Sequence, residues 1–351
     1  MIDWKDPRRV DNIHLYMVDP HNLDDVIGEI KDVTLSGCSL TFGYDTDTRA
    51  SGKIQFLDEN YIKNSWIRIV HEVKKEGYKK ELGTFVAVSP GKEFHGERNS
   101  YTYDLQSVLW TLSKDRCPSH FSIGAGSYAL DVFDRICHTC NRAYIHGSGV
   151  KNYRYTETVI YEMGDPYLDD IKDVTNISGN RLEVDGHGRI LINPFVSPRY
   201  ITPTWTLNAD DERSLVQSAS ISSSSTAYDI SGRAIVTYQK GDDEEIFAYS
   251  DVSNDSDFST AKRGYTMAEL YSVSDMVPAT KARAQELADE YLRNQLSSVV
   301  EYSMTSKYFP CMVGETLTFI YKGEAHLCLI KTIDPINLSD MTMGLTLREV
   351  A

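Results

Sequence analysis

The chain has no apolar run approaching the roughly 18 residues that a membrane-spanning helix needs. Its opening residues, Met1, Ile2, Asp3, Trp4 and Lys5, lack the apolar core of a secretion signal. A protein made and kept in the cytosol until assembly is expected. Positive charge is also short: 36 Lys and Arg face 51 Asp and Glu, a formal net charge of −15. Nucleic-acid binders draw affinity from neutralised phosphates, so this balance argues against one. It is compatible with an acidic surface that DNA passes without adhering. The six cysteines, Cys38, Cys117, Cys137, Cys140, Cys311 and Cys328, are scattered in a chain too large to need staples, and free thiols are expected.

Catalytic signatures are missing as well. There is no glycine-rich phosphate loop, no helical histidine pair with a glutamate, and no serine-nucleophile elbow. Cys137 and Cys140 have the spacing of half a zinc site, but a second close pair is absent. A helix there would also turn His138 away from them and place Cys140 in an apolar stripe. Asp251, Ser253, Asp255 and Asp257 fit the first alternate positions of a calcium loop. Ser256 then stands where glycine is needed and Lys262 where glutamate is needed, so this reads as an acidic surface loop. No catalytic, metal or cofactor-binding residue is assigned, and no cofactor is expected.

What is present is β structure. Hydrophobic residues at 41% and charged residues at 25% are ordinary for a globular chain, and 22 tyrosines favour strands. At 351 residues there is room for two or three domains. Near the end, 317–321 alternates, turns at Lys322 and Gly323, returns over 326–330, is broken at Asp334 and Pro335, and alternates again over 343–347. Near the start, 66–70, 85–88 and 101–105 have the same form, with a break at Ser89 and Pro90. Phe85, Val88 and Pro90 match Ile330, Ile333 and Pro335 in order and spacing. One meander written twice suggests two similar β domains.

Three regions follow. Residues 1–110 read as a β domain with strands at 13–18, 33–35, 39–42 and 52–56 ahead of the meander. Its turn over 73–81 carries four lysines among acids and reads as a soluble hairpin tip. Residues 111–198 form a small α/β module. It has a helix from a Ser127 cap to about Tyr144, and a second helix opened by Asp165 and Pro166 with Leu168, Ile171 and Val174 inward. A hairpin over 181–192 closes it. Residues 199–351 return to β, with strands at 205–207, 215–221, 234–238 and 246–249 and a serine loop at 222–225. A helix runs from Pro278 to about Leu296, burying Leu287, Ala288, Tyr291, Leu292 and Leu296, and a strand at 299–304 leads into the last meander. The fold class expected is α+β and β-dominated.

This order of parts resembles the phage tail hub, or baseplate hub, family, also found in tailocins and contractile injection machines. Four stretches carry the resemblance: the first β domain with its 66–105 meander; the 127–144 helix followed by 181–192; residues 215–221 leading to 228–236; and the 279–296 helix followed by 313–319 and 341–347. The resemblance implies two tail-tube-like β barrels joined by α/β insertions, and a homotrimeric ring presenting six barrels about one axis. Such a ring adapts a sixfold tail tube or distal tail protein to a threefold spike or fibre. It contacts a tape measure protein, lets DNA pass, and sits at the tail tip of a virion assembled in the bacterial host cytoplasm. The alternative reading is a β-rich cell-wall hydrolase or a carbohydrate-binding tail component. The chain departs from the family at Ser231, Gly232 and Arg233, where relatives carry an asparagine-rich turn, and it stops after the meander, so a C-terminal lysin domain is not expected within it. For the ring interface, the aromatic residues Trp66, Tyr101, Tyr103, Phe319 and Tyr321 are the candidates.

Overall fold

The computed structural model describes residues 2–6, 8–57, 65–95, 98–155, 158–217, 220–225, 230–239, 245–273, 280–296 and 300–350. Strands dominate, as the alternation requires. β1 (Asn12–Asp19) and β2 (Asn22–Ile30) form a hairpin, followed by β3 (Ser39–Gly43), β4 (Ala50–Leu57), β5 (Trp66–Val73), β6 (Tyr78–His95) and β7 (Arg98–Gln106). The inserted module then runs α1 (Val108–Lys114), β8 (Phe121–Ile123), α2 (Ala129–Thr139), β9 (Tyr144–His146), β10 (Val159–Tyr161), α3 (Tyr167–Ile177), β11 (Asn180–Val184) and β12 (Ile190–Pro194). β13 (Trp205–Asn208) and β14 (Ser222–Ser225) return to the main sheet. A second small unit holds β15 (Arg233–Tyr238), β16 (Ile246–Asp251), α4 (Thr260–Arg263), β17 (Ala268–Ser272) and α5 (Lys281–Leu296). The chain ends with β18 (Val300–Lys307), β19 (Thr316–Tyr321), β20 (Glu324–Asn337) and β21 (Thr342–Glu349). The fold class is α+β and β-dominated. No helix among the described residues is long and apolar enough to cross a membrane.

The main sheet contains one block twice. In the first half the spatial order is β3-β4-β7-β6-β5, and in the second it is β14-β18-β21-β20-β19. Every pair in both blocks is antiparallel. The registers agree too. Val88 and Gly91 of β6 face Asp104 and Thr102 of β7 across a bulge. Ile333 and Ile336 of β20 face Leu345 and Met343 of β21 across a bulge at the same spacing. Ser89-Pro90 and Asp334-Pro335, expected to break these strands, instead occupy the bulges, and both strands run through. Proline donates no ladder hydrogen bond, so it is tolerated where the ladder skips. The halves differ at one flank: β1 joins β5 antiparallel, whereas β13 joins β19 parallel.

The two blocks share one core. Ile54, Phe56, Phe85 and Leu105 of the first pack in the same cluster as Phe319, Ile330, Leu345 and Leu347 of the second. The inserted module has its own core of Phe133, Ile136, Ile171, Val174, Ile190 and Ile192. In the second small unit, Ala284 and Ala288 let α5 approach Val236, Tyr238 and Ala248, while Tyr271 and Tyr291 stack at 4.0 Å.

Several local expectations are corrected. α2 ends at Thr139, because Asn141 adopts a positive φ of 52° and turns the chain, and Tyr144 enters β9 rather than the helix. Ser127 is not its cap; Tyr128 stands there without a side-chain capping hydrogen bond to the helix. Of the strand expected at 215–221, residues 218–219 lie outside the described residues, Val216 makes only an isolated bridge to Ser306, and the described strand is β14, on the serines that follow. β2 and β17 carry too little clean alternation to be read from sequence. The helix start expected at Pro278 lies outside the described residues.

The N-terminal segment is tied to both halves. Asp11 accepts hydrogen bonds from Nε2 of buried His71 at 2.7 Å and from Nε of Arg9 at 3.0 Å. Arg9 donates to Trp4 O at 2.9 Å and lies over the Trp4 ring, which meets Tyr78 and Tyr308 edge-on. Burial pushes the Asp11 carboxyl up, but the bonds from His71 and Arg9 outweigh it and hold the group below its ordinary value.

Two predictions follow from this packing. A Cβ on Gly344 would meet Asp334 O at 2.1 Å, so Gly344→Ala is expected to cost about 1–3 kcal/mol in urea unfolding. Gly124→Ala, which meets open space, should change stability by less than about 0.5 kcal/mol. Asp11→Ala is expected to cost about 1.5–3 kcal/mol at neutral pH. Because the folded carboxyl titrates below its unfolded value, that contribution is whole above about pH 4 and lost as pH falls through the folded value. Wild-type and variant unfolding curves should therefore converge in acid.

Candidate assembly surface

The two halves meet where β20 leaves its own block. Its first part pairs with β19 over Glu324 to Leu329. Past Ile330 it pairs with β3 instead, setting Ile333 against Phe42 and Ile336 against Leu40. Leu40, Ile333 and Ile336 are buried there. Thr41 Oγ1 donates to Asp334 Oδ1 at 2.7 Å, and the Tyr44 N–H donates to Lys331 O at 2.8 Å. Arg348 reaches Asp45 at 2.7 Å on the same seam. Backbone pairing, apolar burial and polar contacts thus coincide at one joint.

The five aromatic candidates divide. Trp66, Tyr103 and Phe319 are buried within the chain. Phe56 stacks against Tyr103 and Tyr101, Phe319 against Tyr321, and Arg142 lies over Trp66. Trp66, Tyr103 and Phe319 therefore face the chain's own core, the inward set of their strands. Tyr101 and Tyr321 are half-buried at the core's margin. Lys92 Nζ lies 5.4 Å from the Tyr101 ring centre, and Lys322 Nζ lies 5.0 Å from that of Tyr321.

Exposed apolar side chains gather elsewhere. Phe247, Tyr249 and Leu270 stand on the face of the β15–β17 sheet that turns away from α5. Ile235 is the register partner of both Tyr249 and Leu270, so the group is contiguous. Sequence reasoning missed it, because alternation shows that one face is apolar but not that the other carries aromatic residues too.

The groups that suggested chemistry are occupied structurally. Cys137 and Cys140 are buried at the base of α2, and burial pushes the Cys140 thiol up to about 12 and the Cys137 thiol higher still. Cys117 donates to Asp170 Oδ2 at 3.2 Å, its thiol pushed up to about 12 by burial first and by that carboxylate second. Burial likewise raises Asp170. In the acidic loop, Asp251 accepts a bidentate pair from Arg233 at 2.6 and 2.8 Å, and Asp257 pairs with Lys262 at 3.1 Å. Among the described residues no group of three or more His, Cys, Asp or Glu is placed to hold a metal ion. A cleft of about 660 Å³ lies between α3, the β3–β4 turn and α5. Its cations are already engaged: Lys172 by Asp47, Arg181 by Glu183, Arg283 by Glu286, and Arg49 by donation to Leu182 O at 3.2 Å.

No protein-family model matches the sequence, and a comparison with curated proteins finds no match. The fold, in contrast, is shared with solved structures. A tail protein from Neisseria meningitidis aligns at a TM-score of 0.70 and 11% identity, over 97% of this chain and 96% of its own. The 43 kDa tail protein of prophage MuSo2 from Shewanella oneidensis aligns at 0.68 and 10% identity, over 96% and 98%. The c3393 protein of E. coli aligns at 0.51 and 12% identity, over 91% of this chain and 73% of its own. It is a component of the type VI secretion system with structural similarity to the T4 tail proteins gp27 and gp5. The chain therefore has the fold of phage tail proteins, the fold that its resemblance to tail hub proteins implied.

Proposed function

We propose that this chain is a structural hub of a phage or phage-like tail. Three copies form a ring at the tail tip, each contributing the 1–110 and 199–351 halves as two tube-like units, with residues 111–198 inserted between them. Six similar units then face a sixfold tube or distal tail protein and a tape measure protein. The three copies together face a threefold spike or fibre. The ring belongs to a virion assembled in the bacterial host cytoplasm, and its role is architectural rather than enzymatic.

The observation that carries this reading is the repeated five-strand block with its bulges in common register. A chain holding one unit twice presents near-equivalent surfaces at two places, which is what a sixfold neighbour needs from three copies. Likeness to tail proteins along almost the whole chain supports the same reading. The net charge of −15 suits a channel through which DNA moves without being held.

Sedimentation of the concentrated protein and electron microscopy of tails should show three copies in a closed ring. A chain that stays single at all concentrations and is missing from purified tails would overturn the reading. Within the ring, Tyr101→Asp and Tyr321→Asp are expected to weaken assembly while leaving the monomer's circular dichroism unchanged. Phe319→Ala should instead cost the monomer itself about 3–5 kcal/mol, because that ring is fully buried.

A further inference from the structure

We propose that copies join by strand pairing between the outer edge of β14 on one copy and the part of β6 from Val88 onward on the next. This contact rests on the ring reading above and specifies how its members touch. It repeats between chains the joint that β3 and β20 make within one chain.

The two blocks differ in one respect that matters here. β20 pairs with β19 before its bulge and with β3 across and beyond it. β6 pairs with β5 over Tyr78 to Val86, and from Val88 onward its only strand partner among the described residues is β7. The edge that β20 offers to β3 is therefore present on β6 without a described strand against it. β14 is the counterpart of β3. It pairs with β18 on one side and with no described strand on the other, and its serines are exposed. Open edges of this kind are templates for another strand.

The shared registers determine how the edges would meet. Val88 and Gly91 hold the places of Ile333 and Ile336. Asp104 therefore corresponds to Leu345, and Lys53, opposite Asp104, corresponds to Met304, opposite Leu345. Stepping along β4 and β18, Gly52 corresponds to Ser303 and Ala50 to Glu301. Leu40 and Phe42, opposite Gly52 and Ala50, then correspond to Ser222 and Ser224, opposite Ser303 and Glu301. Within the chain Ile333 faces Phe42 and Ile336 faces Leu40. Between copies, Val88 would face Ser224 and Gly91 would face Ser222. Ser89 and Ser223 take the places of Asp334 and Thr41, whose side chains are hydrogen-bonded at 2.7 Å within the chain. The partner is a second copy of this chain, because β14 on one copy and β6 on the next are different surfaces of one molecule, the arrangement that closes a heterologous ring.

The test is a cysteine pair, Val88→Cys with Ser224→Cys, in the full-length chain. All six natural cysteines are buried, so the introduced thiols are the ones an external oxidant reaches. Directly opposed residues on paired strands have Cβ atoms about 4.5–5.5 Å apart, within reach of a disulfide or a short thiol-bridging reagent. The expected result is a reducible ladder ending at the trimer. A mixture of the two single variants should give dimers, and each single variant alone should give none. Val88→Cys with Ser222→Cys, displaced by two residues, should cross-link at least tenfold more slowly. Trimers by sedimentation without the Val88–Ser224 cross-link would overturn the strand pairing and leave the ring standing. Absence of both trimer and cross-link would overturn the two together. A faster cross-link through Ser222, or a monomer with both thiols lost, would overturn the register.

Discussion

A strand bound at different points along its length to different neighbours is the constraint on which this molecule depends. β20 is long enough to close its own block and then reach the other half of the chain. It changes partners between Leu329 and Thr332, and within its pairing with β3 a bulge holds Asp334 and Pro335, where a proline takes nothing from the ladder because the ladder is already interrupted. The same device in β6 makes it a structural feature of the repeated unit rather than an accident of one loop.

Burial follows from that joint. The sheet passes without a gap from one half to the other, so the apolar faces of both pack into one cluster. Duplication at the level of topology has become fusion at the level of the core. The inserted module stands apart with its own apolar centre, touching the sheet through Val18, Leu23 and Trp66. The unit built on α5 is tied by small side chains and a stacked tyrosine pair, and presents an aromatic face away from the helix. The cysteines at the base of α2 and the acidic loop take part in packing and local pairing: burial raises the Cys137 and Cys140 thiols, and Asp251 and Asp257 pair with Arg233 and Lys262.

Much of this could be read directly from the residues. Alternation at 52–56, 66–70, 317–321 and 343–347 was enough to place strands, because a two-residue period commits a segment to one buried face. The offset linking Phe85, Val88 and Pro90 to Ile330, Ile333 and Pro335 was enough to detect the repeat. Proline was the misleading signal. Its local chemistry says that a ladder hydrogen bond is missing, not whether the strand ends or bulges, and in both meanders it bulges. β14 was invisible for a related reason: an edge strand with exposed serines has no buried face to impose a pattern.

The candidate interface shows the same division. Period and composition selected Trp66, Tyr101, Tyr103, Phe319 and Tyr321 as strand aromatics, but an alternating strand does not say which of its faces meets the core. Contacts between distant segments decided that, drawing Trp66, Tyr103 and Phe319 inward and leaving Tyr101 and Tyr321 at the margin. The sequence by itself determined strand content, the repeat and the helical insertions, since each depends on near neighbours along the chain. Only the tertiary structure decided that the repeats share a core, and which strands of one half meet the other. Those outcomes depend on pairings between residues some three hundred positions apart, and no local pattern encodes them.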